Sequence, residues 1–96
     1  MMELKEGERV LLRKKANLVF PGYKKSVGTL FITNLRLSFH PVLHKKRIDV
    51  HLQFIKKVEL IRGIFKKMRV VTEEREYVIF IKEVEDIIHL VKTLMD

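Results

Sequence analysis

Three histidines and an aspartate fall within twelve residues: His40, His44, Asp49 and His51. Imidazole nitrogens and a carboxylate are donors that a divalent metal takes. Asp49 and His51, two residues apart, share one face of an extended strand. Their spacing matches no strong metal pattern, and Lys45, Lys46 and Arg47 stand beside them, where they repel a cation. The expected state is exposed strand and loop histidines with no metal. Covalent chemistry has less to work with. The hydroxyls are Ser26, Ser38, Thr29, Thr33, Thr72 and Thr93, and none has a His and an acid spaced as a triad. The absence of cysteine removes thiol catalysis, disulfides and cysteine zinc sites together. Gly7, Gly22, Gly28 and Gly63 never cluster, so no glycine-rich loop cradles a phosphate. No catalytic residue and no cofactor is expected, and the chain does not read as an enzyme.

Charge is the second chemical resource. The 96 residues carry a formal net charge of +8, unevenly spread. Residues 13–69 hold fifteen Lys or Arg against two acids, Asp49 and Glu59. Residues 70–96 hold seven acids against Arg75, Lys82 and Lys92. A basic middle with an acidic end segment points to an anionic partner: a membrane surface, a nucleic acid or an acidic peptide. The plainer alternative is a lysine-rich solvated surface. Gln and Asn are scarce here, a profile that leans towards a thermophile.

The elements that position these groups follow from periodicity. Apolar residues make up 47% of the chain, enough to close one core, so a single folded domain over 1–96 is expected. The charged opening MMELKEGERVLLRKK has no apolar signal region, and no apolar run reaches the ~20 residues that span a bilayer. The expected localisation is cytoplasmic, with peripheral membrane contact. Leu35, Leu37 and Phe39 alternate with Arg36, Ser38 and His40, and Ile48, Val50 and Leu52 with Asp49, His51 and Gln53. Such alternation marks half-buried strands. Strands are predicted at 8–20, 26–33, 35–40, 47–52, 57–62, 67–72 and 76–81, joined by short turns and so paired antiparallel. The period then lengthens. Val84, Ile87, Ile88, Val91, Leu94 and Met95 form one stripe of a C-terminal α-helix. The fold class is therefore mainly β: about seven antiparallel strands in a small barrel or sandwich, capped by one helix. Gly28 is expected to admit a close neighbour, Asn34 to take a left-handed turn conformation, and Thr33 to bond turn backbone. Arg36 reads as a cross-strand or turn partner.

The stretch GTLFITNLRLSFHP, residues 28–41, resembles the core signature of GRAM and related pleckstrin-homology-like (PH-like) domains. The matching positions are Gly28, Leu30, Thr33, Arg36, Leu37 and Phe39. GERVLLRKKANLVFPG is similar to the family's first strand, and RIDVHLQFIKKVELI to its strand-turn-strand step. With the helix, the resemblance spans nearly the whole chain, and it implies a PH-like barrel acting as a non-enzymatic binding module. It also implies that the first–second and third–fourth strand loops meet at one open end. There they would bring Lys24, Lys25, Lys45, Lys46 and Arg47 to an anionic lipid surface, with Phe20 and Tyr23 able to dip into the headgroups. The family's phosphoinositide-specific members carry a basic-x-Arg pair early in the second strand, where this chain has Ser26-Val27-Gly28. Its sixth–seventh strand loop reads Glu73-Glu74-Arg75-Glu76. Diffuse anionic-lipid binding is thus implied rather than a specific pocket.

Other partners stay open. PH-like domains also take peptides beside the fifth strand. There Lys56, Lys57, Arg62, Lys66 and Lys67 would select an acidic protein segment. A homodimeric scaffold without a small ligand is a further alternative. Nucleic acid ranks third: the charge permits it, but Phe31, Phe39, Phe54 and Phe80 occupy apparent core positions, leaving Phe65 as the exposed aromatic in a basic loop.

Overall fold

A computed structural model describes residues 2–19, 25–43 and 46–96. Seven strands and one long helix follow in order. They are β1 (Val10–Val19), β2 (Ser26–Thr33), β3 (Arg36–Pro41), β4 (Ile48–His51), β5 (Ile55–Ile61), β6 (Lys67–Thr72), β7 (Glu76–Ile81) and α1 (Val84–Met95), with a 3-10 turn at Leu52–Phe54. The expected strands and helix are present, with shifted ends. β1 begins at Val10 rather than residue 8, because Glu8 is drawn out of the ladder into a buried contact. The fourth strand stops at His51, where the chain winds into the 3-10 turn, and β5 begins two residues early.

All strand neighbours are antiparallel, in the order β4-β3-β2-β1-β7-β6-β5. Ala16–Val19 of β1 pair with β7, and Ala16–Leu18 pair with β2 as well. The first half of β1 pairs only with β2. One strand thus serves both halves of a sheet that curls into a barrel. β4 and β5, last in the order at either side, flank an open seam.

Alternation fills the interior. Leu18, Leu30, Ile32, Leu37, Phe39, Val58, Met68, Val70 and Ile79 point inward and are buried. Val84, Ile87, Ile88 and Val91 of α1 join them, with Leu94 and Met95 packed at the margin, as the helical stripe requires. The helix lies against β5, β6 and the 3-10 turn. Its N-cap, Glu83, takes a left-handed conformation (φ 59°), and its carboxylate meets Lys14 of β1.

Gly28 has the expected close neighbour: it lies against the His40 carbonyl, in register with Pro41 of β3. Thr33 also performs its expected task, its hydroxyl accepting from the Leu35 and Arg36 N–H groups, both at 3.0 Å. Asn34 differs from expectation. Among the described residues the sole non-glycine positive φ belongs to Glu83, so the turn needs no left-handed Asn34. Its amide instead clasps the N-terminal segment, accepting from Arg9 N (2.7 Å) and donating to the Gly7 carbonyl (3.1 Å).

That clasp leads to a buried ion pair. Gly7 turns at φ 78°, and the Glu8 side chain enters the protein completely covered. Its carboxylate accepts from Thr33 Oγ1 (2.7 Å), Arg36 Nε (2.8 Å), Arg36 Nη2 (3.2 Å) and Lys5 N (2.9 Å). Arg36 also donates to Asp49 Oδ1 (3.2 Å) and the Glu3 carbonyl (2.7 Å). The cross-strand and turn role expected of Arg36 is what it performs. Burial alone would raise the Glu8 pKa. The Arg36 guanidinium, the Thr33 hydroxyl and the Lys5 N–H outweigh it and hold the pKa at about 2.

The aromatic assignments need correction. Phe39 alone of the four is buried. Phe54 is 61% exposed, because the 3-10 turn carries it past the end of β4. Phe31 and Phe80 are half-buried on the outer face, since their strands send Leu30 and Ile32, or Ile79 and Ile81, inward.

Candidate functional site

Antiparallel pairing decides which loops share an end. β1 runs towards the β1–β2 loop, β3 towards the β3–β4 loop, and β6 towards the β6–β7 loop. The registers Leu18↔Ser26, Gly28↔Pro41, Phe39↔Ile48 and Val19↔Val78 place the strand ends that carry all three at one rim. Lys25 stands one residue before β2, and Lys46 and Arg47 stand immediately before β4; all three are exposed. β2 and β4 are separated by one strand, and the registers offset Lys25 from Lys46 by three residues along it, so the two basic stems sit roughly 14 Å apart. Lys24, Lys45, Phe20 and Tyr23 lie outside the described residues.

Apolar side chains stand among these cations. Val42 is 70% exposed, Leu43 69% and Val27 59%. Val42 N donates to the Val27 carbonyl (2.9 Å), so the start of the β3–β4 loop is tied to the start of β2. The result is an apolar tip flanked by Lys25, Lys46 and Arg47. The cations were visible in the sequence; the tip was not recognised there. The signal was a Val-Leu pair inside a turn, where no core lies to receive it.

The acidic loop is also at this end. Glu73 and Glu74 are exposed between β6 and β7, and the Thr72 hydroxyl closes the turn by accepting from Arg75 N (3.1 Å). Lys56 reaches Glu73 at 3.3 Å. These groups border a groove of about 520 Å³ along the seam, walled by Asp49, His51, Phe54, Lys56, Glu73 and Tyr77. The carboxylates therefore flank the seam, with Lys56 drawn to one of them.

The second group of cations is divided. Lys57 pairs with Glu59 (3.3 Å), Lys66 with Glu85 on the first turn of α1 (2.9 Å), and Lys67 lies over the Phe80 ring at 5.4 Å. Arg62 is exposed. The hydrogen bond from Lys66 holds the Glu85 carboxyl below its ordinary pKa. Lys56 and Lys57 sit at one end of β5, and Arg62, Lys66 and Lys67 at the other. Between those latter cations, Ile64 and Phe65 project into solvent.

The histidine cluster is a hydrogen-bonded relay. Ser38 Oγ donates to Asp49 Oδ1 (2.6 Å) and lies 2.9 Å from His40 Nε2. Burial, then the Arg47 charge, hold the His40 imidazole below its ordinary pKa. His51 packs edge-on against Phe54. Among the described residues no group of three His, Cys, Asp or Glu is placed to hold a metal, and His44 lies outside them. Ser38 is buried and bonded, so it is not presented as a nucleophile.

No family profile matches the chain, and no curated protein matches it. Solved structures do. The C-terminal domain of an unknown protein from Leishmania infantum superposes with a TM-score of 0.81 at 19% identity, covering 94% of this chain and 86% of that one. The N-terminal PH domain of human ARAP2 superposes with a TM-score of 0.72 at 18% identity, covering 88% of this chain and 77% of that one. The fold is PH-like: a seven-stranded antiparallel sheet with one C-terminal helix. At such identities the likeness extends to the fold alone. No helix among the described residues is long and apolar enough to cross a membrane.

Proposed function

We propose that the protein is a non-catalytic PH-like binding module, of GRAM type by its Gly28–Pro41 stretch, that docks peripherally on anionic membrane surfaces through its rim. The observation that carries this is the exposed Val27, Val42 and Leu43 tip set among Lys25, Lys46 and Arg47. Each cation near an anionic leaflet contributes about 1 kcal/mol, screened by salt. Three alone give marginal attachment, and Lys24 and Lys45 in the same two loops would add to them. Burying a Val or Leu side chain contributes about 1.5–3 kcal/mol when complete. Tip and cations together reach useful affinity, and neither does alone. The seam carboxylates disfavour a tight phosphate pocket and favour contact with a diffuse surface.

Co-sedimentation with phosphatidylserine-rich vesicles at ~0.1 M salt tests this. Binding is expected, falling as salt rises. Leu43→Asp, and separately Lys46→Glu with Arg47→Glu, should each weaken it by about ten-fold or more. Arg62→Glu, at the end of β5 opposite the rim, should leave it unchanged. Absence of wild-type binding, or binding indifferent to the rim variants, overturns the proposal.

One observation favours a second reading. Ile64, 95% exposed, and Phe65 stand between Arg62 and Lys66, which suits an acidic protein segment bearing an apolar anchor. A pull-down whose acidic partner survives Phe65→Asp would exclude it.

A further inference from the structure

The outer face of β1, β2, β3 and β7 is a second basic surface, away from the rim loops. β1, β2 and β3 contain no Asp or Glu. Along the outer side of β1 stand Arg13, Lys15 and Asn17. Arg13 is in register with Phe31 of β2, Lys15 with Thr29, and Asn17 with Phe80 of β7 on the other side. The Arg13 guanidinium carbon lies 5.8 Å from the Phe31 ring centre, and the His40 ring packs against Phe31 at 4.6 Å. Lys67 Nζ lies 5.4 Å from the Phe80 ring centre. The acids on this side are engaged: Asp49, two strands across from Phe31 through Ser38, by the Ser38 hydroxyl and Arg36, and Glu59 and Glu76 by Arg69.

We infer that this face is a stacking platform for single-stranded nucleic acid, with Phe31 and Phe80 as base-stacking rings and Arg13, Lys15 and Lys67 as phosphate partners. Two features select this ligand. The rings are recessed between long cations, so a planar bilayer meets the protruding loops first, while a slender polyanion can lie along the strands. An acidic peptide would satisfy the cations but use the flat rings poorly. Phe31 and Phe80 sit four residues apart along β1 and two strand spacings across it, roughly 15 Å, which a single strand spans in two or three nucleotides. In the free protein Arg13 and Lys67 cover the rings; on binding they turn to phosphates and leave the ring faces to bases. Asn17, between the rings, offers both a donor and an acceptor to base edges.

Fluorescence anisotropy with labelled oligo(U) and oligo(dT) of about 12 nucleotides tests this. The intact protein should bind at about 50 mM salt with a dissociation constant of about 1–100 μM, and three phosphate contacts should give a log–log salt slope of about −2. Phe31→Leu and Phe80→Leu keep apolar bulk but remove the flat ring, and each should weaken binding by about five-fold or more. Arg13→Ser with Lys15→Ser should lower the slope towards −1. Lys46→Glu with Arg47→Glu should leave oligonucleotide affinity within about two-fold, which separates this face from the rim. No binding, equal affinity for a duplex of the same length, or indifference to both leucine variants overturns the inference. A leucine variant counts only if its circular dichroism matches the wild type.

Discussion

Gly28→Ala is expected to lower the melting temperature by about 15 °C or more, or to prevent folding. A Cβ built at Gly28 collides with the His40 carbonyl oxygen and lies 2.8 Å from Phe39 Cζ and 2.9 Å from the His40 carbonyl carbon. Two of these atoms are backbone in the adjoining strand, in register with Gly28 at Pro41, so no side-chain rotation relieves the overlap. β2 and β3 would have to part, or Phe39, one of the largest core side chains, would have to leave its place. Overpacking usually costs about 1–3 kcal/mol, and backbone overlap belongs at or above that limit. A domain of this size has about 5–15 kcal/mol in total. A Gly28→Ala protein melting within a few degrees of the wild type would show that the strands give way easily. By contrast, a Cβ at Gly63 meets only the Phe65 carbonyl oxygen at 4.0 Å, an ordinary contact, so Gly63→Ala should be nearly neutral.

Glu8→Ala should cost about 3 kcal/mol, because it leaves the Arg36 guanidinium largely covered without its main counter-charge. The acid dependence is more specific. The Glu8 pKa is about 2 in the folded protein against an ordinary 4.5. The folded state therefore holds this proton more weakly than the unfolded chain does. The stabilisation is complete above pH 4.5 and is lost as pH falls from there towards 2. Glu59, Glu83 and Glu85, also shifted down, share that trend, so the test is a difference. Urea midpoints of the wild type and Glu8→Gln should lie far apart at neutral pH and converge near pH 2. A gap that stays constant through that window would mean Glu8 acts by packing alone. Replacing Glu8 and Arg36 together by methionine should recover much of the loss, since it removes both charges from the site.

Strand identity was legible because a half-buried strand must alternate, and α1 because its stripe covers the barrel. Gly28, Thr33 and Arg36 carried local jobs that spacing alone reveals. Contacts across the chain were not legible. Nothing beside Glu8 in sequence announces that its partners lie in a turn more than twenty residues away, nor that Asn34 would bind Gly7 and Arg9. The divided lysines show the same limit, since Lys56 and Lys66 look free until Glu73 and Glu85 are folded against them. Phe31 and Phe80 share strand parity with Thr29 and Val78, not with Leu30 and Ile79, and parity should have outranked residue type. Val42 and Leu43 are exposed because they follow the end of β3, where no core lies to receive them.

The double pairing of β1 has a kinetic consequence. Every other strand pair joins consecutive strands, whereas Ala16↔Ile81 closes a loop of about 65 residues. β2–β3–β4 and β5–β6–β7 are meanders that can form early and separately, each with a small loop entropy. Joining them through β1 is then the slow step of folding, and their parting the first step of unfolding. Ile81 pairs with Ala16 and with no residue of β6. Ile81→Val should therefore speed unfolding and leave the folding rate almost unchanged, as a chevron plot would show. If the folding rate falls instead, the two halves find each other before either is complete.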